Sequence, residues 1–149
     1  MDQKLPSLKI LGISITTAPK AEIIDFIITG LKRKHKKFYI VTPNPEILVA
    51  ASRSSSFKDI LNNAQVSLPD GIGLVIAGSL LKKPIKERIT GIDSMLEICK
   101  ICARNGLSIG LLGGSRGVAE KTAECLIKKY PDLRVSFVGE EWNSSISSK

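Results

Sequence analysis

Leu68–Asp93 reads LPDGIGLVIAGSLLKKPIKERITGID, and the rest of the chain is organised around this stretch. Pro69-Asp70-Gly71 is a turn at which a strand can hand over to a helix. Gly71–Leu81 carries almost no polar side chain, so a helix that is apolar nearly all round, and therefore buried, is expected there. Lys82-Lys83-Pro84 ends it, because proline supplies no amide hydrogen and clashes with the preceding turn. Arg88 and Asp93 close the stretch in Glu87-Arg88-Ile89-Thr90-Gly91-Ile92-Asp93. A carboxylate at a strand-to-helix junction can take a proton, and a guanidinium further on can hold leaving-group charge through paired hydrogen bonds. An Asp in such a turn also serves simply as a turn former or helix cap. On the residues alone both readings stand.

Upstream, Leu8–Ile15 is expected as a first strand and Lys20–Arg33 as a helix, with Ile24, Ile27, Ile28 and Leu31 inward. Phe38–Val41 reads as a short strand that runs into Thr42-Pro43-Asn44-Pro45-Glu46. Its prolines exclude helix until Pro45 can sit in a first turn. Glu46–Ser52 is expected as a helix. A second, capped by Ser55 or Ser56, continues to Asn63 with Phe57, Ile60, Leu61 and Ala64 inward, and Val66–Pro69 is the next strand. Downstream, Ile92–Arg104 is amphipathic and stops at Asn105-Gly106, Ser108–Leu112 is a strand, and Gly113-Gly114-Ser115-Arg116-Gly117 follows. Arg116–Tyr130 is expected as a helix capped by Ser115, and Arg134–Val138 as the last strand.

This alternation predicts an α/β fold: a single Rossmann-like domain with a mainly parallel sheet covered by helices on both faces. Residues 1–139 form the expected core and 140–149 a polar, serine-rich tail. Ligands of such sheets bind beyond the carboxyl ends of the strands. Three loops are expected there: Thr42–Glu46, Asp70–Gly73 and Gly113–Gly117.

Composition narrows the function classes. A chain of 149 residues suits one domain, and no run of 18 apolar residues suggests a membrane-spanning helix. The N-terminal MDQKLPSLKI lacks the apolar core of a signal peptide. The net charge of +8 suits an anionic membrane surface or a phosphorylated substrate. Its densest cluster, Lys32-Arg33-Lys34-His35-Lys36-Lys37, has no interleaved aromatic residue, so nucleic acid is not the expected partner. His35 is the single histidine, which excludes a multi-histidine metal site and a Ser-His-Asp triad. Cys99 and Cys102 have C-x-x-C spacing but fall on the apolar face of a helix with no second ligand pair, and they are expected to be buried thiols in a reducing compartment.

The remaining motifs each carry two readings. Gly113, Gly114 and Ser115 open a helix, so their amides can cradle a phosphate, or the glycines merely permit a tight turn. They match neither G-x-G-x-x-G nor a P-loop, which counts against a dinucleotide enzyme. Thr42 and Asn44 can orient a sugar or cap the helix after Pro45, and Asp93 can bind ligand or cap its own helix. No D-x-D pair calls for a divalent cation, and no cofactor is expected.

Four motifs occur in order: Thr42-Pro43-Asn44-Pro45-Glu46-Ile47-Leu48, Pro69-Asp70-Gly71-Ile72-Gly73, Glu87-Arg88-Ile89-Thr90-Gly91-Ile92-Asp93 and Leu111-Leu112-Gly113-Gly114. Together they resemble the WecG/TagA/CpsF family of bacterial glycosyltransferases over residues 8–139. The resemblance implies transfer of N-acetylmannosamine, or a related sugar, from a UDP-sugar donor to a polyprenyl-diphosphate-linked GlcNAc in teichoic acid-type synthesis. It implies a cytoplasmic enzyme, peripheral on the inner membrane surface; a homo-oligomer is one expectation for its assembly, and the sequence leaves the oligomeric state open. By position, Asp70 is the implied general base, Arg88 meets the diphosphate, and Thr42 and Asn44 line the sugar pocket. Gly71, Asp93, Gly113, Gly114 and Ser115 are the further implied substrate contacts, in an inverting reaction without a metal. Family members continue past Gly139, so relative to them the core is expected to be incomplete. The competing expectation is an inactive fragment or a non-catalytic nucleotide- or nucleic-acid-binding module.

Overall fold

Strands and helices are interspersed through residues 5–32, 37–85 and 87–139, which are the residues that the computed structural model describes. Most of the basic run, including Arg33 and His35, and the tail Glu140–Lys149 lie outside them. The chain divides into two compact units, Met1–Ser94 and Met95–Lys149.

In the first unit the expected strand over Leu8–Ile15 is instead a hairpin, β1 (Ser7–Ile10) and β2 (Ile13–Thr16), paired antiparallel. The turn is Leu11-Gly12, both with positive φ (51° and 79°). Two such residues give the handedness that joins twisted strands tightly. Asn62 clips this turn from outside, accepting from Ser14 N at 2.9 Å and donating to Gly12 O at 3.0 Å. Helix α1 (Lys20–Leu31) buries Ile23, Ile27 and Gly30, one position off the expected stripe. Gly30 sets that face: a Cβ there would lie 2.6 Å from the Phe38 ring. β3 (Ile40–Val41) leads to α2 (Pro45–Ser52), and α3 (Ser55–Asn63) follows with Ser54 as its N-cap. Leu61 is the inward residue of α3, whereas Ile60, expected inside, is 56% exposed. β4 (Val66–Ser67) pairs parallel with β3. Leu8, Ile13, Ile15, Leu48, Ala51, Leu61, Leu74 and Ile85 make one core.

Helix α4 (Ile72–Leu80) departs most from expectation. Only Leu74 and Gly78 are buried, and Ile72, Ile76 and Leu80 are more than half exposed. An all-apolar sequence marks a helix that can be buried; the number of neighbours decides whether it is.

In the second unit, α5 (Gly91–Arg104), whose first turn belongs to the first unit, leads to β5 (Ser108–Leu112), α6 (Val118–Lys129) and β6 (Arg134–Gly139). α5 ends as the Asn105-Gly106 signal predicts. Gly106 has φ +66°, its N–H donates to Ala103 O, and Leu107 N donates to Cys102 O at 2.9 Å, the double bond of a Schellman motif. β5 and β6 pair parallel, with an irregularity after Ile109 that leaves Ser136 unmatched. Cys99, Cys102, Leu126 and Leu133 form the core, and burial pushes the thiol pKa of Cys99 and Cys102 up. They are buried hydrophobes, as expected; Cys125 is exposed.

The α/β class therefore holds. The expected mainly parallel sheet appears as three two-stranded ladders, one antiparallel and two parallel. Between β2 and β4 a side chain takes the place of a ladder bond: the buried Thr16 hydroxyl accepts from Ser67 N at 3.0 Å.

Candidate active site

The site residues of the first unit are assembled by two buried prolines. Past the end of the β3–β4 ladder, Leu68 N donates to Val41 O at 2.8 Å, and Asp70 N donates to Pro43 O at 3.2 Å. Ile89 N then donates to Pro69 O at 3.3 Å. Pro43 and Pro69 have no amide hydrogen to offer, so each passes the pairing onward through its carbonyl alone. Both are under 2% exposed. Three segments thus lie side by side: Thr42–Asn44, Leu68–Asp70 and Arg88–Gly91. A Cβ on Gly91 would touch Thr42 Oγ1 and Cγ2 at 3.4 Å, so the third segment closes against the first as well.

The segments that carry Thr42, Asn44, Asp70, Gly71 and Arg88 are therefore neighbours along the backbone. Asp70 is half-buried, and it is not the cap of α4. That role falls to Gly71, whose φ of +105° a side chain would resist, and no side-chain cap bond is made. Among the described residues no hydrogen bond engages the Asp70 carboxylate. A carboxylate that neither caps nor pairs is available to an incoming group.

Asn44 has a double position. Its Oδ1 accepts from Ile47 N at 2.8 Å, making it the N-cap of α2, with Pro45 at the first helical position. The capping reading of Asn44 is therefore correct, and among the described residues its amide nitrogen makes no hydrogen bond. Asp93, for which capping is one expectation, is instead the residue that is capped, by Thr90. Thr90 Oγ1 accepts from Asp93 N at 3.1 Å, which caps the start of α5, and donates to Asp93 Oδ2 at 2.6 Å, which holds the hydroxyl in place.

Arg88 is exposed, and no ion pair to it occurs among the described residues. Its neighbours are fixed. Ile89 is buried, and Glu87 Oε2 accepts from Lys20 N at 3.1 Å. Helix α1 starts after Pro19, which has no side chain able to cap it, so Glu87 supplies the missing acceptor from 67 positions away. Glu87 stands in the quoted motif, but nothing local marks it as a remote cap.

The glycine turn belongs to the second unit. Gly113, Gly114 and Gly117 all have positive φ, and α6 begins at Val118 with Gly117, not Ser115, as its N-cap. The Ser115 backbone carbonyl accepts from Val118 N at 2.9 Å, which tightens the turn and displaces the expected side-chain cap. No group of three or more His, Cys, Asp or Glu placed to hold a metal ion occurs among the described residues.

Comparison with known proteins places the chain in a family. The model of the glycosyl transferase WecG/TagA/CpsF family matches residues 8–144, five residues beyond the end of the resemblance read from the motifs. N-acetylglucosaminyldiphosphoundecaprenol N-acetyl-beta-D-mannosaminyltransferases from Staphylococcus aureus strains NCTC 8325 / PS 47 and COL are each 32% identical over 125 residues. The aligned region covers 83% of this chain and 49% of each relative, so the chain spans about half the length of these curated relatives. With the match extending over nearly the whole sequence, the chain belongs to the WecG/TagA/CpsF family of glycosyl transferases.

Proposed function

We propose that this chain carries the catalytic core of an inverting glycosyltransferase that moves N-acetylmannosamine, or a related sugar, from a UDP-sugar to a polyprenyl-diphosphate-linked GlcNAc in teichoic acid-type wall synthesis. The observation that carries the reading is the Asp70 carboxylate, half-buried, free of a capping duty and flanked by the segments of Thr42, Asn44 and Arg88. The names of the relatives support the acceptor and the transferred sugar.

In the proposed step, Asp70 takes the proton of the acceptor hydroxyl as its oxygen attacks the anomeric carbon. The bond from that carbon to the donor diphosphate breaks, and UDP leaves with the electron pair. Arg88 meets the charge that develops on the departing diphosphate, with no metal assigned a part. Thr42 and the Asn44 amide nitrogen orient the sugar, and Gly71 lets the backbone pass close to it. Asp93 acts on this reading through Thr90, holding the start of α5. For Gly113, Gly114 and Ser115 the proposal is a backbone-amide cradle for a phosphate within the second unit. The reaction is assigned to the inner face of the cell membrane, where the acceptor's lipid chain resides. No helix among the described residues is long and apolar enough to cross a membrane.

The test is transfer by this chain from UDP-N-acetylmannosamine to a short-tailed lipid-diphosphate-GlcNAc, beside Asp70→Asn. The variant is expected to keep its circular dichroism spectrum and lose about 100- to 10,000-fold in rate, the usual worth of a general base. Near-parental turnover by Asp70→Asn would remove Asp70 from the chemistry. Arg88→Ala is expected to cost about tenfold or more, and an unchanged rate would assign Arg88 to the surface.

A further inference from the structure

The backbone that carries Arg88 has no regular structure of its own: residues 83–85 and 87–90 belong to no helix or strand. A guanidinium on such a segment is only as well placed as the contacts on either side of it. Here those contacts stand one residue away in each direction. After Arg88, Ile89 is buried and its N–H donates to Pro69 O at 3.3 Å, which ties the segment to the Asp70 turn. Before it, Glu87 Oε2 accepts from Lys20 N at 3.1 Å, which ties the segment to the start of α1. That helix is a firm post, because Ile23 and Ile27 are buried and Gly30 is packed on Phe38. The bond also suits its donor. A carboxylate at a helix N-terminus meets an unpaired amide and the positive end of the helix dipole, and Pro19 offers no side-chain acceptor in its place.

We infer that Glu87 is a positioning residue for Arg88. By capping α1 it clasps the Arg88 segment to that helix, so that the guanidinium is offered to the donor diphosphate from a backbone fixed on both sides. Glu87 itself touches neither donor nor acceptor and takes no proton. What Arg88 meets rests on the transferase reading; the clasp does not. The alternative is that Glu87 serves α1 alone, and the two differ once Arg88 is gone. A residue that acts through Arg88 loses its effect on the reaction together with Arg88. A cap that only stabilises the fold costs the same with or without it.

The experiment is a double-mutant cycle on transfer from UDP-N-acetylmannosamine to the short-tailed acceptor, with amide hydrogen exchange on the same proteins. Glu87→Ala is expected to lower kcat/KM about three- to tenfold, the worth of one exposed hydrogen bond, and by no more than Arg88→Ala does. In the Arg88→Ala background the same change is expected to cost less than about twofold. Glu87→Gln keeps an oxygen that can accept from Lys20 N while removing the charge, and it is expected to recover most of the loss. Pro19→Ser gives α1 a local cap; added to Glu87→Ala, it is expected to restore thermal stability but not transfer. Exchange of the Ile89 amide is expected to quicken about three- to tenfold in Glu87→Ala, with or without Pro19→Ser. Equal costs of Glu87→Ala with and without Arg88, or recovery of transfer by Pro19→Ser, overturn the inference and leave Glu87 as a helix cap alone. An unchanged Ile89 amide in Glu87→Ala overturns it with no donor or acceptor present. Silence from the parent instead overturns the transferase reading, and with it the role given to Arg88, while Ile89 exchange still reads the clasp by itself.

Discussion

Two strand-to-helix turns, one in each unit, solve the same local problem by different means. Pro69-Asp70-Gly71 and Gly113–Gly117 both end a strand and begin a helix whose N-cap is glycine with no side-chain cap bond. The first is held from both sides, by Asp70 N on Pro43 O and by Ile89 N on Pro69 O, and a Cβ on Gly73 would lie 2.8 Å from Pro45 Cγ. The second is tied to its neighbour by one bond, Gly113 N to Gly139 O at 3.1 Å. Among the described residues, however, nothing lies within 4 Å of where a Cβ on Gly113 or Gly117 would stand, and three positive φ values shape it. A turn fixed by its neighbours can hold a side chain in one place. A turn open on its outer side and shaped by positive dihedrals can present backbone amides instead. That difference is why a single carboxylate is assigned to the first and a phosphate cradle to the second.

Crowding at the first turn gives the largest expected effect on stability. Gly73→Val puts a branched side chain against the Pro45 ring, with no rotamer that avoids it. It is expected to cost about 3 kcal/mol of unfolding free energy and to abolish transfer, since α2 and α4 must part. Gly113→Ala meets no atom, and its cost is only the left-handed backbone at φ +107°, about 1–2 kcal/mol. Urea unfolding of both variants checks the ordering. An equal cost, or a milder one for Gly73→Val, would mean that the first turn is not packed as tightly as the Pro45 contact requires.

Much of this was legible in the sequence where the signal is local. Asn44-Pro45 marks the start of α2 because a capping amide and a first-turn proline act within four residues of each other. Asn105-Gly106 marks the end of α5 for the same reason. Three of the four motifs fall on first-unit segments that lie side by side, those that carry Thr42, Asn44, Asp70 and Arg88. What was missed depends on contacts distant in sequence. Leu11-Gly12 is not a usual hairpin dipeptide, and the turn is clipped by Asn62. The inward stripe of α1 is displaced because Phe38 packs on Gly30, and Glu87 caps α1 from another motif altogether. The exposure of α4 belongs here too: periodicity states what a helix can bury, and only packing states what it does.

The smallest expected difference sharpens the comparison most, because it tests whether each turn depends on a side-chain cap. Asn44→Ala removes the Oδ1 acceptor of Ile47 N beside the first turn, and it is expected to cost about 1 kcal/mol. Transfer should fall further than that loss explains, because on the proposed reading the Asn44 amide nitrogen also meets the sugar. Asn44→Asp keeps an acceptor for Ile47 N but loses the amide donor, so it should restore stability without restoring transfer. Ser115→Ala, by contrast, removes a hydroxyl that caps nothing: the bond to Val118 N is made by the Ser115 backbone carbonyl, which alanine keeps. Its expected cost is within about 0.5 kcal/mol. Thermal or urea unfolding of the three variants reads the comparison directly. A loss of 1 kcal/mol or more in Ser115→Ala would show a side-chain cap at α6 after all. A rescue of transfer by Asn44→Asp would confine Asn44 to capping and leave Thr42 alone to orient the sugar.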